Sequence, residues 1–97
     1  MNSSSQPVDI CERTFAFAVR IVKLCRYLER QSWVDRQLVI QLLKAGTSIG
    51  ANVEEAQAGQ SRADFTSKNS IALKEARETI YWLRLLMESD SVSRKRV

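Results

Sequence analysis

The stretch 41-QLLKAGTSIGANVEEA-56 decides the fold, because it holds two of the three glycines of the chain. Two apolar seams run through it. Leu38, Leu42, Ala45, Ile49, Asn52 and Ala56 form one; Val39, Leu43, Gly46, Gly50 and Val53 form the other. Spacings alternate between four and three, the signature of a helix. Each glycine costs up to about 1 kcal/mol relative to alanine in a helix interior, so a break at Gly46 is the competing reading. Both seams keep their phase across the glycines, which favours one continuous helix over residues 33–58. Glycines four apart would let another backbone come close, by analogy with small-residue spacing in membrane helices.

Working outward, the same periodicity appears twice more. Residues 9–30 carry the seams Cys11, Phe15, Ala18, Val22, Cys25 and Phe17, Ile21, Leu24, Leu28, with Asp9 placed to cap. Residues 62–88 carry Phe65, Asn69, Ala72, Ala76, Thr79, Leu83, Leu86 and Leu73, Ala76, Ile80, Leu83, Met87. Ser61 or Asp64 can cap this helix, and Ser32 with Asp35 resembles a capping box for the second. Gly59-Gln60-Ser61 breaks the pattern between helices two and three. Short connections imply antiparallel neighbours, so the expected fold is an all-α up-and-down bundle of three long helices. A turn centred near Gln60 sets Gly46 and Gly50 opposite Ala76 and Ala72, and Asn52 opposite Asn69. Two facing Asn side chains could satisfy each other and fix the register.

The 97 residues make one domain, expected over 9–90, with a disordered Ser-rich start at 1–8 and a basic tail at 91–97. Apolar residues make up 44% and glycine plus proline only four positions, which argues against disorder and against a many-turned β-sandwich. Histidine is absent, which removes the usual general base and the commonest metal ligand. Cys11 and Cys25 would lie about 21 Å apart on one helix, so they cannot bridge, and two buried thiols are expected. Glu54, Glu55, Glu75 and Glu78 form a carboxylate set, but di-metal bundles pair such residues with histidine. Neither metal nor cofactor is expected; pairing with Arg62, Lys74 and Arg77 is the plainer role. No phosphate-binding glycine loop is present and Ser48 has no adjacent base, so an enzyme is not expected. The helices are too long for a helix-turn-helix DNA reader. Arg20, Lys23 and Arg26 interrupt the most apolar stretch, no run approaches the roughly 20 residues of a membrane span, and no signal peptide is visible. A cytoplasmic protein without a small-molecule substrate is the expectation.

The net charge is +4, yet without Arg94, Lys95 and Arg96 the cations number 12 against 11 acids. Distribution therefore matters more than total charge. Arg13, Arg20, Lys23, Tyr27 and Arg30 form a basic stripe on the first helix, with Arg26 beside it. Lys74, Arg77, Tyr81 and Arg84 repeat the idea on the third. Such stripes suit a phosphate backbone, with the rings available for stacking. The alternative is a solvated face held by pairs such as Lys74 with Glu78. Ile71, Trp82 and Leu85 lie off the main seams and share a face, which suits a subunit interface or packing against a further helix.

The stretch 41–56 and the later stretch 71-IALKEARETIYWLR-84 resemble one bacterial family. It comprises the small four-helix-bundle proteins of intervening sequences in 23S ribosomal RNA genes, also called S23 ribosomal proteins. The similarity runs over about 15–90 and rests most on Ser48-Ile49-Gly50-Ala51-Asn52. It implies an antiparallel four-helix protomer, a homo-oligomeric ring, commonly a pentamer, and no catalytic residues. The chain is also similar to accessory proteins of diversity-generating retroelements, which work with a reverse transcriptase and its template RNA. Family members continue into a fourth helix. Here only a handful of residues follow the third, so the expectation is a truncated chain or a three-helix unit with an apolar groove between helices one and three.

The functional expectation is thus a noncatalytic, self-associating scaffold that meets RNA through Arg13, Arg20, Lys23, Arg26, Arg30, Lys74, Arg77 and Arg84. Ile71, Trp82 and Leu85 would form the oligomer interface, and Gly46, Gly50, Asn52 and Asn69 would be structural. The rival is a protein–protein module that binds no nucleic acid.

Overall fold

A computed structural model describes residues 9–30 and 36–89. It contains three helices and, among the described residues, no strand: α1 (Ile10–Glu29), α2 (Arg36–Ala58) and α3 (Arg62–Glu88). The segment 1–8, the Ser32–Asp35 capping box, the predicted start of α2 at Trp33 and the tail 91–97 lie outside the described residues.

Local chemistry sets the visible helix ends. The Asp9 carboxylate accepts hydrogen bonds from the backbone N–H groups of Cys11 (3.0 Å) and Glu12 (3.3 Å) and so caps α1. Ser61 Oγ accepts from Asp64 N–H at 3.0 Å and caps α3, while Asp64 in the first turn complements the helix dipole. α2 runs unbroken through Gly46 and Gly50.

The helices form an up-and-down arrangement centred on α2. A Cβ placed on Gly46 would meet Ile21, and one placed on Gly50 would meet Thr14. Position advances along α2 as it retreats along α1, so the two are antiparallel. These contacts correct the expected glycine register. Gly46 and Gly50 admit α1, whereas Ala76 and Ala72 belong to α3. Periodicity gives the angle of a residue around its own helix, and that angle alone does not say which neighbour fills it. The Asn52–Asn69 pair does not form either. The Asn52 amide donates to Ser48 O (2.9 Å) and Ser48 Oγ (3.0 Å), and the Asn69 amide to Phe65 O (3.0 Å). Each is satisfied on its own helix, so neither needs the other.

The main core cluster combines Ile21, Cys25 and Leu28 of α1, Val39 and Leu42 of α2 and Leu86 of α3. Leu28, Leu42 and Leu86 are fully buried. It occupies the end of the bundle where α1 and α3 finish and α2 begins. Toward the other end the buried residues are smaller: Thr14, Gly50, Val53, Ala56 and Ala72. Thr14 Oγ1 donates to Ile10 O at 2.8 Å and Thr79 Oγ1 to Glu75 O at 2.8 Å, so both hydroxyls are buried without being orphaned.

α1 and α3 both pack on α2, and no Cα of one comes within 8 Å of the other. A groove therefore opens between them. On α3, Phe65, Leu73, Ala76, Ile80, Leu83 and Met87 fall within an arc of about 80° at 100° per residue. Phe65, Leu73 and Ile80 are 45%, 55% and 58% exposed. Lys68 of α3 pairs with Glu55 of α2 at 2.9 Å. The apolar arc borders the buried line of Ala72, Thr79 and Leu86 on α3. Phe17 and Leu24 of α1 line the α1 wall of the groove, packed against the edge of the core. Of the two predicted seams on α3, only one is thus buried, by Ala72, Thr79 and Leu86.

Candidate nucleic-acid interface

The buried line of α1 is Thr14, Ile21, Cys25 and Leu28. At 100° per residue, Arg13, Arg20, Lys23, Tyr27 and Arg30 fall within an arc of about 100° elsewhere on the same helix, and Arg26 lies beyond it. All five cations are exposed and Tyr27 is half-buried against the core edge. Arg20, Lys23, Leu24 and Tyr27 line one surface depression. Two cations are thereby held beside an aromatic ring on a rigid helix, an arrangement able to take a phosphate and an adjacent base together. Leu24 is the member that charge patterning did not find; it belongs to the apolar seam and reaches the depression from its edge.

On α3, Lys74, Arg77, Tyr81 and Arg84 are all exposed and fall within about 80°. Tyr81 and Trp82 meet edge to face, with ring centroids 5.0 Å apart. Tyr81, Arg84, Leu85 and Glu88 line a second depression. Among the described residues none of the eight predicted cations forms an ion pair. Among the described residues the expected pairings of Lys74 with Glu78, and of the glutamates with Arg62, Lys74 and Arg77, do not form; Glu55 pairs with Lys68 instead. Both partners are well exposed, so that bridge contributes little stability.

Ile71, Trp82 and Leu85 do share one side of α3. Ile71 is exposed, whereas Trp82 and Leu85 are half-buried and Trp82 packs against the core. The Trp82 Nε1–H is buried with no acceptor among the described residues. The thiols also differ from expectation. Cys25 is buried, with Sγ 3.8 Å from Val39 O, but Cys11 is only half-buried. Burial, and secondarily the Glu29 carboxylate, pushes the Cys25 thiol up to about 11. Among the described residues no three Cys, Asp or Glu side chains gather as a metal site. Nor is any described helix long and apolar enough to cross a membrane.

No curated protein matches the chain. A crystal structure of a protein with unknown function from the S23 ribosomal protein family, from Bacteroides thetaiotaomicron, is similar, with 46% identity and a TM-score of 0.84. The similarity covers 90% of this chain and 77% of that one. Residues 6–97 match the sequence profile described as 23S rRNA-intervening sequence protein. Nearly the whole chain is matched, and its three helices superpose on a solved member of the S23 family; the chain belongs to the 23S rRNA-intervening sequence protein family.

Proposed function

We propose that this protein is a noncatalytic, cytoplasmic scaffold that associates with RNA and assembles with copies of itself. The observation that carries the RNA reading is the placement of Arg20 and Lys23 beside Tyr27 in one depression of α1. Arg13 and Arg30 extend the same stripe toward the two ends of the helix. Arg26, Lys74, Arg77 and Arg84 supply further exposed charge. The name of the family, with its reference to 23S rRNA, supports the same direction. Self-association would use the Ile71, Trp82 and Leu85 side of α3, and a ring of five is the assembly expected from the resemblance.

Salt dependence tests the RNA reading. Four phosphate contacts, by Arg13, Arg20, Lys23 and Arg30, give a logarithmic slope of about −2.8 on single-stranded RNA. Affinity for a 20-nucleotide RNA should then fall about 50-fold between 50 and 200 mM salt. Arg20→Glu combined with Arg30→Glu should abolish binding while the native mass by light scattering stays unchanged. Binding by the double variant equal to the parent's would refute the stripe. Self-association without any RNA binding would support the rival, a protein–protein module.

A further inference from the structure

We infer that α1 pairs antiparallel with α1 of a second copy of this chain, about a two-fold axis at Val19. The contact extends the self-association proposed above; it uses neither the RNA stripe nor the Ile71, Trp82 and Leu85 side. Its seam is Glu12, Phe15, Val19, Val22 and Arg26, spaced three, four, three and four. At 100° per residue these five fall within an arc of about 80°. The buried line of Thr14, Ile21, Cys25 and Leu28 occupies a separate arc of the same helix. Phe15, at 63%, is the most exposed large hydrophobic side chain among the described residues, and Val19 is 36% exposed. Apolar residues repeating at this spacing are what a helix offers to a partner helix.

The order of the seam selects the occupant. Reversed about Val19, Glu12 falls on Arg26 and Phe15 falls on Val22. An antiparallel copy therefore sets apolar residues on apolar residues, and acid on base twice, once on each side of the axis. Such self-complementarity is what an isologous contact requires. A parallel copy would set Glu12 on Glu12 and Arg26 on Arg26, which costs rather than stabilises. Glu12 and Arg26 are exposed and have no ion-pair partner among the described residues. They lie about 21 Å apart along α1, so neither can satisfy the other within one chain. The apolar surface also continues onto α2. The Cys11 thiol, at the edge of the seam, is pushed up by burial, then by Asp9 and by Glu54, which sets Glu54 of α2 beside this edge of α1. Ile40 and Leu43 lie within about 40° of Glu54 around α2 and are exposed as well.

Charge exchange tests this by sedimentation equilibrium on the 97-residue chain at low salt. The parent should hold an even number of chains. Glu12→Arg alone and Arg26→Glu alone should each weaken self-association at least tenfold, because two like-charged pairs then meet across the axis. Mixing the two variants in equal amounts should restore the parent's affinity within about threefold, since every contact again joins opposite charges. Phe15→Gln with Val19→Gln should weaken self-association at least tenfold with unchanged helicity, as both side chains are exposed. A monomeric parent overturns the inference. So does a closed ring with an odd number of chains, which would leave self-association through the α3 side standing. Single variants that associate as the parent does, or a mixture no tighter than either variant alone, refute the antiparallel pairing. Association that survives the Phe15/Val19 double variant assigns the contact to another face and refutes the seam.

Discussion

Gly46→Ala probes the closest approach in the fold. The added Cβ would lie 2.8 and 2.9 Å from the two γ-carbons of Ile21 and 3.2 Å from its Cβ. Ile21 is 3% exposed and belongs to the core cluster, so it has no free direction in which to move. Alanine gains about 1 kcal/mol over glycine in helix propensity. Overpacking of this kind costs about 1–3 kcal/mol. The balance is a net loss of about 1 kcal/mol, read as a lower midpoint in urea unfolding followed by circular dichroism at fixed protein concentration. A double-mutant cycle gives the sharper test. Ile21→Ala alone should cost about 2–5 kcal/mol as a buried large-to-small change. Combined with Gly46→Ala, it removes both clashing carbons, and the new methyl fills part of the cavity. The double variant should therefore lose less than the sum of the singles, by about 1–3 kcal/mol. Ala76→Gly should show no such coupling with Gly46→Ala. Additivity with Ile21, or rescue by Ala76→Gly, would return the glycines to the α3 interface and refute the packing described here.

Leu86→Ala should cost about 2–5 kcal/mol in the same unfolding assay, because it removes the only fully buried hydrophobic side chain that α3 gives to the core. Ser61→Ala should cost about 1 kcal/mol and Ser61→Gly only a few tenths, since the lost bond is a helix cap to Asp64 N–H. Iodoacetamide should label Cys11 well before Cys25 at neutral pH, as read by peptide mass spectrometry; equal labelling rates would contradict the burial of Cys25. Its thiol is raised in the folded state, so the neutral form contributes full stability below the ordinary thiol pKa. That stability is lost between about pH 9 and about pH 11, and a Cys25→Ala variant should lack this alkaline loss.

Periodicity and capping made the helices legible. Asp9 was visible as a cap, and Ser61 as one of two candidates with Asp64, because short polar side chains stand just before apolar seams. The continuity of α2 through two glycines followed from seam phase. Partner choice was not legible. The glycine seam is the same whether α1 or α3 fills it, and only tertiary packing selects Ile21 and Thr14. Thr14 itself was invisible as a core residue, since a buried hydroxyl that bonds back to its own helix leaves no apolar mark. Phe15 misled in the opposite direction: it lies on a predicted seam yet is 63% exposed. The buried line of α1 runs between its two seams, so each seam contributes only some of its members. Among the predicted site residues, the α1 stripe could be read from charge spacing. The open groove beside it depends on the separation of α1 from α3, which no single-helix pattern encodes.

That separation also distributes stability unevenly. α1 meets the rest of the described fold chiefly through α2, by the glycine contacts along its length and the leucine-rich cluster at its C-terminal end. Near Thr14 the packing is a close backbone approach with little side-chain volume behind it. Dispersion and burial scale with the atoms brought together, so the cluster end holds and the Thr14 end opens more readily. Leu73 and Ile80 of α3 are exposed along that same stretch. An occupant of the groove between α1 and α3 would touch both at once and add the contact that the two helices lack. Its binding energy would therefore appear partly as resistance of α1 to opening.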